Sequence, residues 1–201
     1  MKTVTIIETG LANIASVAAA FQRQGVSINC TQSPSDIKNA DYLVLPGVGS
    51  FGAGMSSLSK SNLIEILQER VRNNQPTLAI CLGLQLLCKS SEESPNITGL
   101  NCISESIRAL PKIVKRPQFG WNWIANKNTS ILGDGGYVYY ANSYCLPRSP
   151  TGWKSGWTDY GHPFVGCLQR GAVVACQFHP ELSGTYGSQI LGRWLDLKED
   201  L

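Results

Sequence analysis

The sequence predicts an α/β fold with a mixed, mostly parallel central sheet flanked by helices and an added antiparallel region in the C-terminal half. Three observations carry this. Short apolar runs alternate with stretches of helical period through the first hundred residues. The apolar run Thr77-Leu78-Ala79-Ile80 turns directly into the apolar-faced stretch Leu82-Gly83-Leu84-Gln85-Leu86-Leu87, with Cys81 at the corner. Beyond Gly99, short aromatic and β-branched runs are separated by Gly, Pro and Asn, the pattern of closely spaced antiparallel strands.

Taken in order, residues 3–7 form a buried apolar strand, residues 13–24 a helix stopped by Gly25, residues 27–31 a second strand and residues 42–45 a third. Residues 63–72 form a helix with Leu63, Leu67 and Val71 on one face, the spacing of a core stripe. The Cys81 strand follows. Further strands are predicted over residues 103–110, 121–125, 137–140, 164–169 and 173–178, and a closing helix over 189–198. Right-handed crossovers make the first half parallel, and place functional loops at the carboxyl ends of its strands.

At 201 residues, 43% hydrophobic and 15% charged, the sequence suits a single domain spanning 1–201 with a substantial core. A net charge of +3, without a Lys/Arg block, argues against nucleic acid; Lys112, Lys115 and Arg116 are read as a solvated or partner-facing loop. No apolar run reaches the ~18 residues of a membrane span, and residues 4–7 are too short for a signal peptide, so a cytoplasmic location is expected. Seven cysteines without CxxC or Cys/His spacing argue against a disulfide framework and against a zinc site. No metal or cofactor is expected.

The corner at Cys81 is how a nucleophile is presented. A strand-to-helix elbow strains its central residue and needs small neighbours, here Ala79 and Gly83. It sets the thiol at a helix N-terminus, where the dipole and unpaired N–H groups favour the thiolate. The Leu82 amide is placed to donate to an oxyanion. Downstream, Gln177-Phe178-His179-Pro180-Glu181 supplies a histidine and a carboxylate. Pro180 biases His179 toward extended backbone, so that His179 and Glu181 share one side of a strand end, and the carboxylate fixes the imidazole tautomer. A cysteine after an apolar strand is ordinarily a buried structural thiol. What favours the nucleophile is the conjunction of elbow, glycine spacing and one of only two histidines in the chain. The other, His162, is read as a loop residue. Pro46-Gly47-Val48-Gly49 follows a strand, and its glycines allow an amide to turn inward. Gln85 lies one helical turn after Cys81 on the same side, able to contact a substrate amide.

Together these segments resemble the class I (triad) glutamine amidotransferases, and among them the glutaminase subunits of imidazole glycerol phosphate synthases. Glu8-Thr9-Gly10-Leu11-Ala12-Asn13, Pro46-Gly47-Val48-Gly49-Ser50-Phe51-Gly52, Ser91-Glu92-Glu93, Pro117-Gln118-Phe119-Gly120-Trp121-Asn122 and Tyr139-Tyr140-Ala141-Asn142-Ser143-Tyr144 extend the likeness over nearly the whole chain. The resemblance implies a Cys81-His179-Glu181 triad, an oxyanion hole from Val48, Gly49 and Leu82, and glutamine bound by Gly47, Gln85, Glu93, Ser143 and Tyr144. It implies hydrolysis of L-glutamine to glutamate and ammonia. It also implies a (β/α)₈ cyclase as heterodimer partner, which uses the ammonia to make imidazole glycerol phosphate and an aminoimidazole carboxamide ribotide in histidine biosynthesis. The resemblance lets Trp121, Asn122 and Trp123 face that partner; for the two tryptophans core packing is the equal alternative.

Three departures stand out. Asn142 replaces a usual histidine, Leu182 a usual basic residue, and Ala79 a usual glycine. A paralogue feeding a different barrel, for instance in surface-sugar amidination, and a catalytically impaired scaffold subunit share this pattern. A cysteine peptidase fits less well, because the Pro46 loop, Gln85 and Glu93 suit a small amino acid rather than a peptide groove.

Overall fold

The computed structural model describes residues 2–8, 10 and 13–197. Thr9, Leu11 and Ala12 of the first resemblance segment, and Lys198 at the expected end of the last helix, lie outside them. The chain runs β1 (Thr3–Ile7), α1 (Ile14–Gln22), β2 (Ser27–Thr31), α2 (Pro34–Asn39), β3 (Tyr42–Leu45), α3 (Phe51–Lys60), α4 (Ile64–Arg72), β4 (Thr77–Ile80) and α5 (Leu82–Leu87). It continues with β5 (Cys88–Ser91), β6 (Ile103–Ala109), β7 (Gln118–Asn126), β8 (Gly136–Asn142), β9 (Tyr144–Cys145), β10 (Lys154–Asp159), β11 (Pro163–Arg170), β12 (Val173–Cys176), a 3₁₀ turn over Pro180–Leu182, and α6 (Gly184–Asp196).

Nine strands form one sheet in the order β2-β1-β3-β4-β12-β11-β10-β7-β8. The five from β2 to β12 are parallel, and the remaining four add antiparallel. The antiparallel region is therefore a continuation of the central sheet. A second sheet, β5-β6-β9, stands apart. The residues of β3, β4 and β12 are buried throughout, which explains their unbroken apolar runs: a parallel strand covered on both faces has no solvent side to encode.

One core packs Val17 and Phe21 of α1 and Trp194 of α6 on one face of the sheet; Trp194 meets Phe21 and Tyr42 edge-on, with centroids 5.7 and 5.6 Å apart. The other packs Leu58, Leu67, Val71 and Leu86 from α3, α4 and α5. Leu63, Leu67 and Val71 share this core, as their helical spacing predicts.

Several boundaries differ from the sequence expectation. α2 and α3 were hidden by Pro, Ser and Gly content, but Ser33 and Ser50 cap them by accepting the Asp36 and Ala53 amides. α6 begins at Gly184 rather than 189, and β10 fills a segment to which the sequence reading assigns no element. β12 stops at Cys176, so the segment carrying His179 leaves the sheet earlier than expected. No helix among the described residues is long and apolar enough to cross a membrane.

Candidate active site

Three adjacent parallel strands in the interior of the sheet, β3, β4 and β12, deliver three loops to their shared carboxyl end. They carry Pro46 to Gly49, Cys81, and Gln177 to Glu181. β12 lies directly against β4 with Cys176 opposite Ile80. This register brings two segments remote in sequence to the same corner.

Cys81 has φ 54° and ψ −107°, a conformation that a non-glycine residue holds only under constraint. The constraint is visible. Its amide donates to the Cys176 carbonyl at 2.7 Å, and its carbonyl accepts from Gln85 at 3.3 Å. Gly83 allows α5 to lie against β3, since a Cβ there would collide with the Leu45 carbonyl oxygen. The residue is 6% exposed and opens onto a cavity of about 440 Å³ lined by Val48, Gly49, Gln85, Glu93, Asn142 and His179 among others. That size falls within the roughly 300–1,000 Å³ of small-molecule sites.

His179 adjoins this cavity and also a second one of about 270 Å³, lined by Gly47, Phe119, Tyr139 and Leu182. Its Nδ1 lies 2.8 Å from Glu181 Oε1, both side chains buried. The pair does not share a strand face as expected. Pro180 starts a 3₁₀ turn, and the turn folds Glu181 back under the imidazole. The His179 amide donates to the Tyr139 carbonyl at 2.9 Å, while Ser183 Oγ donates to the His179 carbonyl at 2.6 Å and accepts from the Tyr139 amide at 3.0 Å. Ser183 thus ties the histidine turn to β8. Nothing in its sequence context marks it except its place two residues after Glu181.

Burial works against charge on His179, but interaction with Cys81 and Glu181 outweighs it and pushes the imidazole up to about 10 from 6.5. A folded value above the unfolded one adds stability that is present in full below 6.5 and is lost as pH rises through about 10. Because the chain has only two histidines, ¹H–¹³C NMR can follow each ring. The His179 signal is expected to titrate near 10; Cys81→Ala should lower its midpoint by about 1 unit or more, since the strongest raising contact is removed. An unmoved midpoint would mean that the sulfur does not act on the ring. Elsewhere burial raises the partly buried Cys102 thiol to about 11 and the buried Cys145 thiol to about 12, away from the range of a reactive thiolate.

The other expected site residues divide. Val48, Gly49, Leu82, Gln85, Glu93, Ser143 and Tyr144 line the Cys81 cavity. Gly47 lies on the second cavity, where a Cβ would press on Leu82, so its small size serves close packing. The Leu82 amide donates to the Gly47 carbonyl at 3.3 Å and is not free for an oxyanion. α5 has only six residues, so its dipole is weaker at Cys81 than the sequence suggested. Glu93 accepts from the Phe51 amide at 2.6 Å and so also caps α3. The Ser143 carbonyl accepts from Leu110, and the Tyr144 carbonyl from Gln85 and Asn142, so those carbonyls are already engaged. Trp121 and Trp123 settle on solvent rather than in the core, and with Phe119 they make an exposed aromatic strip on β7. Among the described residues, no cluster of His, Cys, Asp and Glu could hold a metal.

This arrangement, a cysteine at a strained strand-to-helix turn and a histidine from the segment after the neighbouring strand lining one cavity, defines a class of proteins. The chain belongs to one family of that class, Glutamine amidotransferase class-I, which residues 5–196 match. It is 37% identical to the imidazole glycerol phosphate synthase subunit HisH of Yersinia pseudotuberculosis, over 96% of this chain and 99% of that one. It is 39% identical to the chloroplastic imidazole glycerol phosphate synthase hisHF of Arabidopsis thaliana, over 97% of this chain but about a third (34%) of that protein's length. The fold matches a crystal structure of a glutamine amidotransferase with a TM-score of 0.79 over 98% of both chains at 16% identity. It also matches the structure of PurLQS from Thermotoga maritima with a TM-score of 0.75, over 97% of this chain and 98% of that one at 12% identity. The chain is thus an enzyme, a glutamine amidotransferase of the HisH type.

Proposed function

We propose that residues 1–201 act as one glutaminase domain in which Cys81, His179 and Glu181 hydrolyse L-glutamine and pass the ammonia to a (β/α)₈ cyclase. The observation that carries this is that Cys81 and His179 line one cavity from segments that follow neighbouring strands, with Glu181 bonded to the far side of the His179 ring. The Cys81 thiolate attacks the side-chain carboxamide carbon, and protonated His179 gives its proton to departing ammonia. Acylation removes the negative sulfur, and with it the largest influence raising the imidazole. His179 then falls back toward the range in which it takes a proton from water. Glu181 holds the ring through Nδ1 in both half-reactions.

The oxyanion needs amides that the resting loop does not offer, since Leu82 N–H is bound to Gly47. The segment Pro46 to Gly49 must turn to release it, and Gly49, at φ 96°, has the freedom to do so. The exposed strip Phe119, Trp121 and Trp123, with Leu182 beside the second cavity, suits an apolar partner face. There the barrel would receive ammonia for imidazole glycerol phosphate and aminoimidazole carboxamide ribotide synthesis, a step of histidine biosynthesis. A cytoplasmic setting fits this reading.

Glutamine hydrolysis should be slow in the isolated chain and rise at least tenfold when the barrel is bound and holds its nucleotide ligand. Ammonia release by the chain alone, with partner, and with liganded partner separates the cases. Equal turnover in all three would remove the role assigned to the loop.

A further inference from the structure

Gln177 is absent from the triad logic, yet it is fully buried and aimed at the nucleophile. Its backbone amide donates to the Gly166 carbonyl at 2.9 Å, which pins the residue between β12 and His179. Its side chain touches two groups, Cys81 and Gln85. Nε2 stands 3.6 Å from Cys81 Sγ, and Oε1 accepts from Gln85 Nε2 at 3.0 Å.

The polarity of this chain of amides is fixed from its far end. Gln85 Nε2 also donates to the Tyr144 carbonyl at 3.3 Å, and a main-chain carbonyl can only accept. The end of Gln85 that meets Tyr144 must therefore be nitrogen. Its second proton goes to Gln177, so the atom of Gln177 facing Gln85 must be oxygen. What remains to face Cys81 is the NH₂ group, a donor, which favours sulfur as the anion.

We propose that Gln177 is a positioning residue for the glutaminase reaction, holding the Cys81 thiolate by its Nε2–H and locking Gln85 by its Oε1. The inference rests on Cys81 being the nucleophile. It has a consequence for substrate binding: with both Nε2 protons committed, Gln85 offers a ligand only the acceptor Oε1. That atom suits an amide N–H or an ammonium and opposes a carboxylate.

Two variants separate the two ends. Gln177→Met keeps the volume and removes both bonds; Gln177→Glu keeps an acceptor for Gln85 and replaces the donor facing sulfur with a carboxylate. The readout is the rate of iodoacetamide alkylation at Cys81 between pH 5 and 10, followed by mass of the Cys81 peptide, with glutamine kinetics in the complete complex with its barrel. Both variants should alkylate about tenfold more slowly at pH 7, the size of one hydrogen bond to a charged group. Both should also move the pH profile upward, and only the Met variant should raise KM for glutamine. A merely structural role would lower stability and leave the pH profile in place. Folded Met or Glu variants with the wild-type profile would overturn the proposal. If Gln177→Met fails to fold, Gln177→Glu alone decides. Failure of the underlying reading looks different: Cys81 in the wild-type chain would then show no faster alkylation at pH 7 than exposed Cys30.

Discussion

Replacing Cys81 with alanine is expected to abolish glutamine-dependent synthesis in the complex with the barrel while leaving synthesis from added ammonium salt near wild type. The thiolate is the only group proposed to bond to the substrate carbon, so its loss should cost on the order of 10⁴–10⁶ in glutamine turnover, as for other covalent nucleophiles. The split between nitrogen sources is informative. A substitution that merely unsettled the fold or weakened the subunit contact would depress both reactions. Alanine fills no new space at a residue that is 6% exposed, and the amide bond from Cys81 to the Cys176 carbonyl needs no side chain. The positive φ is as awkward for alanine as for cysteine, so the elbow should persist. Loss of both activities would point to a structural thiol, and retention of both to a different nucleophile.

Gly83→Ala should be among the most damaging single-methyl changes at the described glycines, with Gly99 and Gly187, where an added Cβ would likewise strike a main-chain carbonyl oxygen. The added Cβ would meet the Leu45 carbonyl oxygen, a main-chain atom of a fully buried strand that has no room to retreat. Overpacking of this kind costs about 1–3 kcal/mol. The cost falls on activity as well as stability, because relief requires α5 to lift from β3 and carry Cys81 with it. Denaturant midpoints and glutaminase rates should fall together. By comparison, a Cβ added at Gly10 or Gly25 would meet open space, so their role is the positive φ alone. A Gly83→Ala enzyme with wild-type stability would show that the elbow is not held by this contact.

Much of this was legible because parallel strands advertise themselves. β1 and β3 fall at the expected residues, since a short apolar run bounded by turn residues has few other uses; β2 does so too, although it is a partly exposed strand carrying Ser27, Asn29 and Thr31. The Cys81 elbow was legible for the same reason, with a glycine at the spacing that close packing demands. α3 was not. Gly52, Gly54 and a run of serines mask its propensity, although Phe51, Met55 and Leu58 keep helical spacing and are all buried. α6 begins early because Gly187 permits contact with the Pro180 carbonyl, a tertiary fact invisible to propensity.

The site was legible as a set of residues and less so as a set of bonds. Cys81 and His179 announce themselves by type and context. That Glu181 reaches the ring through a 3₁₀ turn, that Glu93 caps α3, and that the Leu82 amide is bound to Gly47 depend on contacts between segments far apart in sequence. Gln177 and Ser183 were missed because an amide or hydroxyl beside a histidine has many ordinary uses, and only the partners distinguish this one. Trp121 and Trp123 were open between core and surface because alternation along β7 gives two faces without saying which is covered.

The central claim is that one sulfur, at the corner between β4 and α5, takes the carboxamide carbon of glutamine. Its most direct measurement is trapping. The assembled complex, with the barrel and its ligand, is treated with an electrophilic diazoketone analogue of glutamine, digested, and mapped by mass spectrometry. The expected result is a single adduct on the peptide containing Cys81, suppressed by excess glutamine and absent in His179→Asn. A glutamine-protected adduct on any other residue, with Cys81 unmodified, would contradict it.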